Sequence, residues 1–158
     1  MINVLFVCAG NICRSPIADA VFQQMVKEAG LENDIMVDSA GTGSWHVGET
    51  AHRGTREVLK RHNIPYDGRA RQIRQRDFSD FDYVLTMDQA NWNNIQHYIN
   101  PDSDTEVAMF LSYANAKGRL AEDEVPDPYY NGRFDAVYDL VSKGCQALLD
   151  HIRQEHNL

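Results

Sequence analysis

A chain of 158 residues, 43% of them hydrophobic and with a net charge of −8, has the size of one globular domain with a single core, expected to span 1–158. The acidity argues against nucleic acid as a partner, and no apolar run approaches the roughly 20 residues that a membrane helix needs. "MINVLFVC" lacks the basic start of a secretory leader, so no membrane partner is expected and the cytoplasm is the expected location. Three cysteines form no complete disulfide framework and in a reducing compartment are thiols.

Along the chain, the apolar and branched run 2–7, "INVLFV", reads as a buried strand that ends in a Gly-containing turn. Ser15 is a good N-cap and Pro16 suits a first helical position, so a helix is expected to begin right after the turn. Val21, Phe22, Met25, Val26 and Ala29 continue it at helical spacing, and Gly30 is the expected stop. Residues 35–40 form a second strand, followed by a loop made flexible by Gly41, Gly43 and Gly48. A helix is expected over 53–62. The segment 53–76 carries eight Lys or Arg against only Glu57 and Asp67. It reads as a solvated face, with a docking surface for an acidic partner as the alternative.

A third strand is expected over 83–87, a helix through Trp92, Ile95 and Ile99, and a fourth strand over 107–111. A long loop then runs to about Gly132, and Phe134, Val137, Tyr138, Val141, Cys145, Leu148 and Ile152 mark a closing helix. Strands alternating with helices imply the α/β class, with a four-stranded parallel sheet and helices on both faces. Ligands of such sheets bind beyond the strands' C-terminal ends, where Cys8, Ser39, Met87 and the 112–132 loop would gather.

The stretch "CAGNICRSP" (8–16) carries the chemistry. Backbone N–H groups of residues 9–14 can curl inward above the positive end of the following helix and make an anion cradle. Gly10 allows a turn that a side chain would obstruct, and Asn11 tolerates left-handed φ. Arg14 supplies a planar fork for two phosphate oxygens, and Cys8 lies on the floor. The cradle, the helix dipole and the Ser15 hydroxyl would favour a thiolate there, a nucleophile aimed at phosphorus. Without that context, a cysteine at a strand end is an ordinary buried side chain. The six histidines, His46, His52, His62, His97, His151 and His156, form no metal-ligand spacing with the cysteines, so neither metal nor cofactor is expected.

"VLFVCAGNICRSPIAD" resembles the signature of the low-molecular-weight protein tyrosine phosphatases, as in a bacterial-type member. The likeness continues through "VDSAGTGSWHVG", "RHNIPYDGRARQ", "FDYVLTMDQAN" and "DPYYNGRFDAVYDL" and covers nearly the whole chain. It implies a flavodoxin-like, phosphotyrosine phosphatase I-like fold, no metal and a phosphocysteine intermediate. It further implies Cys8 as nucleophile, Arg14 as phosphate ligand and Asp127 as general acid, with Asn11, Ser15 and Ser39 holding the loop. Loop residues Ala9, Gly10, Asn11, Ile12, Cys13 and Ser15 would bind the phosphate, and Trp45, Tyr129 and Tyr130 would line a slot for the substrate ring. Substrates would be phosphotyrosine proteins or small aryl phosphates, with inorganic phosphate as product inhibitor.

Cys13 is either a packed thiol or, as the resemblance suggests, a redox partner that captures oxidised Cys8. Asp127, between Pro126 and Pro128, is expected to be shielded by Tyr129 and Tyr130. The chain departs from the family at Gly68, where a loop-supporting histidine is common, at Ala9, often leucine, and at Asp19, often glutamate, the last with little expected effect. Rival readings are an arsenate reductase on the same fold, which lacks its usual extra cysteines here, and a non-catalytic phosphopeptide-binding module, which would need neither Cys8 nor Asp127. A flavin-binding protein would carry a Thr- and Ser-rich loop instead.

Overall fold

The computed structural model describes residues 1–158 as four parallel strands, β1 (Ile2–Cys8), β2 (Ile35–Gly41), β3 (Tyr83–Thr86) and β4 (Glu106–Met109), in the order β2-β1-β3-β4. The order reverses between β1 and β3, and that crevice is where a doubly wound sheet accepts ligands. β1 is central, and Val4–Val7 are wholly buried. Val4, Phe6 and Cys8 face a core of 32 buried residues, while Leu5 and Val7 face a smaller one of eight. A parallel strand covered on both sides must be apolar throughout, which is why its sequence shows no alternation.

The larger core is closed by α1 (Arg14–Glu28), α2 (Arg53–Arg61), α5 (Ser112–Ala116) and α7 (Phe134–His156). Phe6 meets Phe22 and Phe110 edge-on, with centroids 5.7 and 5.2 Å apart. The smaller core is closed by α3 (Asp77–Asp80), α4 (Gln89–Ile95) and the 3₁₀ turn Gln96–Tyr98. No helix is long and apolar enough to cross a membrane.

Three local expectations are corrected. The first helix begins at Arg14, one residue before the expected cap, and no side chain caps it. The Ser15 hydroxyl is engaged elsewhere, and Pro16 stays inside the first turn, where its missing N–H has no partner to lose. β4 ends at Met109, and Phe110 and Leu111 turn into the core beyond it. The long loop contains α5 and a helical turn, α6 (Pro128–Asn131), set by Pro128 at its first position and by Asp127, whose Oδ1 accepts from Tyr129 N at 3.0 Å.

Most of the basic segment is paired within the fold. Arg53 meets Glu57, Arg61 meets Asp135, Arg76 meets Asp80, and Arg71 bridges Asp38 and the fully buried Asp77, which Arg74 also approaches. These pairs make the segment largely an internally matched surface.

Candidate active site

Residues 9–13 wrap over the C-terminal end of β1. Several carbonyls of the turn are bonded to the surrounding chain: Cys8 O accepts from Thr42 N, Ala9 O from Gly43 N, and Ile12 O from His52 N. Cys13 O accepts from Thr55 Oγ1. None of the N–H groups of Ala9–Cys13 is used in a hydrogen bond within the protein. A row of free N–H groups beside the start of a 15-residue helix is an anion-binding nest. Asn11 takes the left-handed conformation at φ 59°, as its residue type allows. Gly10 lets the His46 ring approach closely, since a Cβ there would lie 2.9 Å from it and the ring would have to shift. Gly41 backs the loop so closely that a Cβ would lie 2.8 Å from Ala9 O.

Behind the loop, Asn11 Nδ2 donates to Ser15 Oγ at 2.8 Å and to Ser39 Oγ at 3.0 Å. Cys8 Sγ is 3.0 Å from Ser15 Oγ. Asn11 and Ser15 are thus buried supports whose side chains do not line the cavity.

The Arg14 guanidinium is 3% exposed and held from behind. Its Nη1 donates to Asp88 Oδ2 at 2.6 Å and to Val125 O at 2.9 Å, while Nη2 is 3.9 Å from Asp127 Oδ2. Both Nη1 protons are occupied, so the Nε and Nη2 edge of the fork is left for an oxyanion. Burial alone would push the Arg14 pKa down, but Cys8 and the carboxylates of Asp88 and Asp127 outweigh it and raise the value. Asp88 did not emerge from the sequence. It follows β3 and caps α4 through Asn91 N, so the strand–Asp–helix pattern was its one available signal.

A cavity of about 380 Å³ opens over Cys8 and is lined by Ala9, Gly10, Ile12, Cys13, Arg14, Trp45, His46, Asp127, Tyr129 and Tyr130. Trp45 is 71% exposed and Tyr130 89%, far more than rings with packing duties alone. Tyr129 stacks edge-on with Tyr130 at 4.9 Å and with His52 at 5.6 Å. His46, given no substrate-site role from the sequence, lines the wall and pairs with Glu49. The tyrosines do not bury Asp127, whose side chain is 39% exposed, contrary to expectation. Cys13 is buried beside Cys8, and burial, reinforced by Cys8, pushes its thiol up to about 12.

Two departures acquire partners. A Cβ at Gly68 would lie 2.4 Å from the Tyr66 hydroxyl, so that oxygen occupies the space a side chain at 68 would need. Asp19 is 4% exposed and receives the Tyr66 hydroxyl at 3.2 Å and Gln23 Nε2 at 2.6 Å.

A thiol under an anion nest at the switch point of a doubly wound sheet defines a cysteine-dependent phosphatase site, and comparison with known proteins agrees. The profile of the family described as low molecular weight phosphotyrosine protein phosphatase matches residues 3–158. The low molecular weight protein-tyrosine-phosphatase PtpA of Staphylococcus aureus is 44% identical over 158 residues, covering 100% of this chain and 98% of the relative. YfkJ from Bacillus subtilis superposes with a TM-score of 0.92 at 43% identity, over 98% of this chain and 96% of that one. DARP, an arginine phosphatase from Drosophila, superposes with a TM-score of 0.86 at 33% identity, over 97% and 98% of the two chains. The chain belongs to the low-molecular-weight protein tyrosine phosphatase family and is an enzyme of that class.

Proposed function

We propose that the protein hydrolyses phosphotyrosine and other aryl phosphate monoesters through a phosphocysteine on Cys8. The observation that carries this reading is the loop itself: free N–H groups from Ala9 to Cys13 surround a cysteine at the floor of an aromatic cavity. The phosphate dianion is held by those N–H groups and by the Nε and Nη2 edge of Arg14. Cys8 Sγ attacks phosphorus as the bond to the leaving oxygen breaks, and Asp127 gives that oxygen its proton. Asp127 Oδ1 is committed to Tyr129 N, which leaves Oδ2, on the Arg14 side, to carry the proton. In the second half the same carboxylate takes a proton from water, whose oxygen attacks the phosphocysteine, and inorganic phosphate and the Cys8 thiolate are released. The product fits the cradle it leaves, so phosphate is a competitive inhibitor. Such a thiol chemistry suits a reducing cytoplasm.

Trp45, Tyr129 and Tyr130 form walls for a flat ring, and Ile12 adds an apolar edge. A phosphotyrosine spans the depth from rim to Cys8, whereas phosphoserine is too short to engage both. The test is kcat/KM for phosphotyrosine, phosphoserine and phosphoarginine peptides, with Cys8→Ser as control. Phosphotyrosine is expected to lead, and Cys8→Ser to bind phosphate without turnover. Equal rates on the three substrates, or turnover by Cys8→Ser, would refute the reading.

A further inference from the structure

The hydrogen-bonded support of the cradle continues past Ser39, and its proton directions can be assigned. Arg71 N donates to Asn11 Oδ1 at 2.9 Å, which identifies the amide oxygen and leaves both Nδ2 protons for Ser15 and Ser39. An amide nitrogen only donates. Each serine oxygen therefore receives a proton from Asn11 and must send its own elsewhere. Ser15 sends its proton to Cys8 Sγ, 3.0 Å away. Ser39 sends its proton outward, where Tyr66 Oη lies at 3.4 Å and the Asp19 carboxylate beyond it. The Tyr66 hydroxyl donates to Asp19 Oδ2, and nearby Asp19 and Asp38 keep it protonated by raising its pKa on top of the effect of burial. Asp19 ends the series as an acceptor, with Oδ1 taking Gln23 Nε2.

We propose that Tyr66 is a positioning residue for the phosphate cradle, and that Asp19 is the acceptor that sets the direction of its hydroxyl. The device exists because residue 68 is glycine: any Cβ there would lie 2.4 Å from Tyr66 Oη. Its object is Asn11, at φ 59° in the middle of the cradle, whose side chain is oriented by Arg71 N, Ser15 and Ser39. Without Tyr66 Oη, Ser39 loses its outward acceptor and competes with Asn11 for direction. The N–H groups on either side of Asn11 then no longer converge as one nest.

The inference rests on the phosphatase reading, and the experiment separates the two. In the full chain, Tyr66→Phe keeps the ring and removes one oxygen. It is expected to lower kcat/KM for p-nitrophenyl phosphate and to raise the Ki of inorganic phosphate, each by about 3- to 10-fold, the worth of one buried hydrogen bond. Gly68→Ala, which displaces the same hydroxyl while leaving every polar group present, is expected to give the same defect and guards against a variant that fails to fold. Tyr66→Phe combined with Asp19→Asn is expected to be no worse than the poorer single variant, because both act through one chain of bonds.

A residue that served packing alone would lower the melting temperature and leave kcat/KM and Ki unchanged, and that result would overturn the proposal. Multiplicative losses in the double variant would overturn it too. If the wild-type protein turned over no phosphate ester, the function above would fail, but the inference would still be read by phosphate protection of Cys8 against iodoacetate. Tyr66→Phe must then require about 3- to 10-fold more phosphate for equal protection, and equal requirements would overturn it.

Discussion

Replacing Asp19 by asparagine should change how stability depends on pH. Burial pushes the Asp19 carboxyl up to about 6 from an ordinary 3.8, and neighbouring Asp38 adds to it, against hydrogen bonds from Gln23 and Tyr66 that pull it down. The folded chain therefore binds this proton more tightly than the unfolded chain between about pH 4 and pH 6. The contribution of this group to stability falls as pH rises through that window and levels off above it. Roughly two pH units at 1.36 kcal/mol each is about 3 kcal/mol. The asparagine does not titrate, and all other groups are common to both proteins. The unfolding free energy of Asp19→Asn minus that of wild type should thus grow by about 2 kcal/mol from pH 4 to pH 7, the rest of the change lying below pH 4. Urea titrations of both proteins at pH 4, 5, 6 and 7 measure it, and any fixed effect of the amide cancels in the slope. A difference that stayed constant, or shrank as pH rose, would show that burial does not hold the Asp19 proton.

Asp127→Asn keeps the Oδ1 that caps α6 and removes only the transferable proton, so the loop should stay in place. Hydrolysis of substrates with tyrosine-like leaving groups should drop roughly 10²–10⁴-fold, and much less for activated aryl phosphates. A plot of kcat/KM against leaving-group pKa should be steep in the variant and nearly flat in wild type, and parallel lines would remove Asp127 from the role. Peroxide should inactivate the enzyme by converting Cys8 to the sulfenic acid, on which the Cys13 sulfur closes a disulfide with loss of water. Dithiothreitol should restore activity, and a peptide carrying both cysteines should be lighter by two hydrogens before reduction. Recovery of Cys13→Ser as complete as wild type would leave Cys13 a packed thiol.

The framework is legible in the order of residues along the chain. Val4–Val7 carries no polar residue and is buried on both faces, and the spacing from Val21 to Val26 turns an apolar stripe inward. Hydrophobic burial is non-directional and sums over a segment, so composition and period suffice to read it. The cradle was equally legible, since Gly10, Asn11, Cys8 and Arg14 lie within one short stretch.

Which polar groups meet follows from how the chain is wound. Ser15 has the local chemistry of a helix cap, yet its hydroxyl serves Cys8 and Asn11. Arg14 is held by Asp88, 74 residues away, and Asp19 by Tyr66, 47 residues away. A hydrogen bond depends on one donor reaching one acceptor within a few tenths of an ångström and a narrow range of angles. No local pattern carries that information; the winding of β2-β1-β3-β4 brings α1, β2 and the 66–71 segment to the same side of the loop and so chooses the partners.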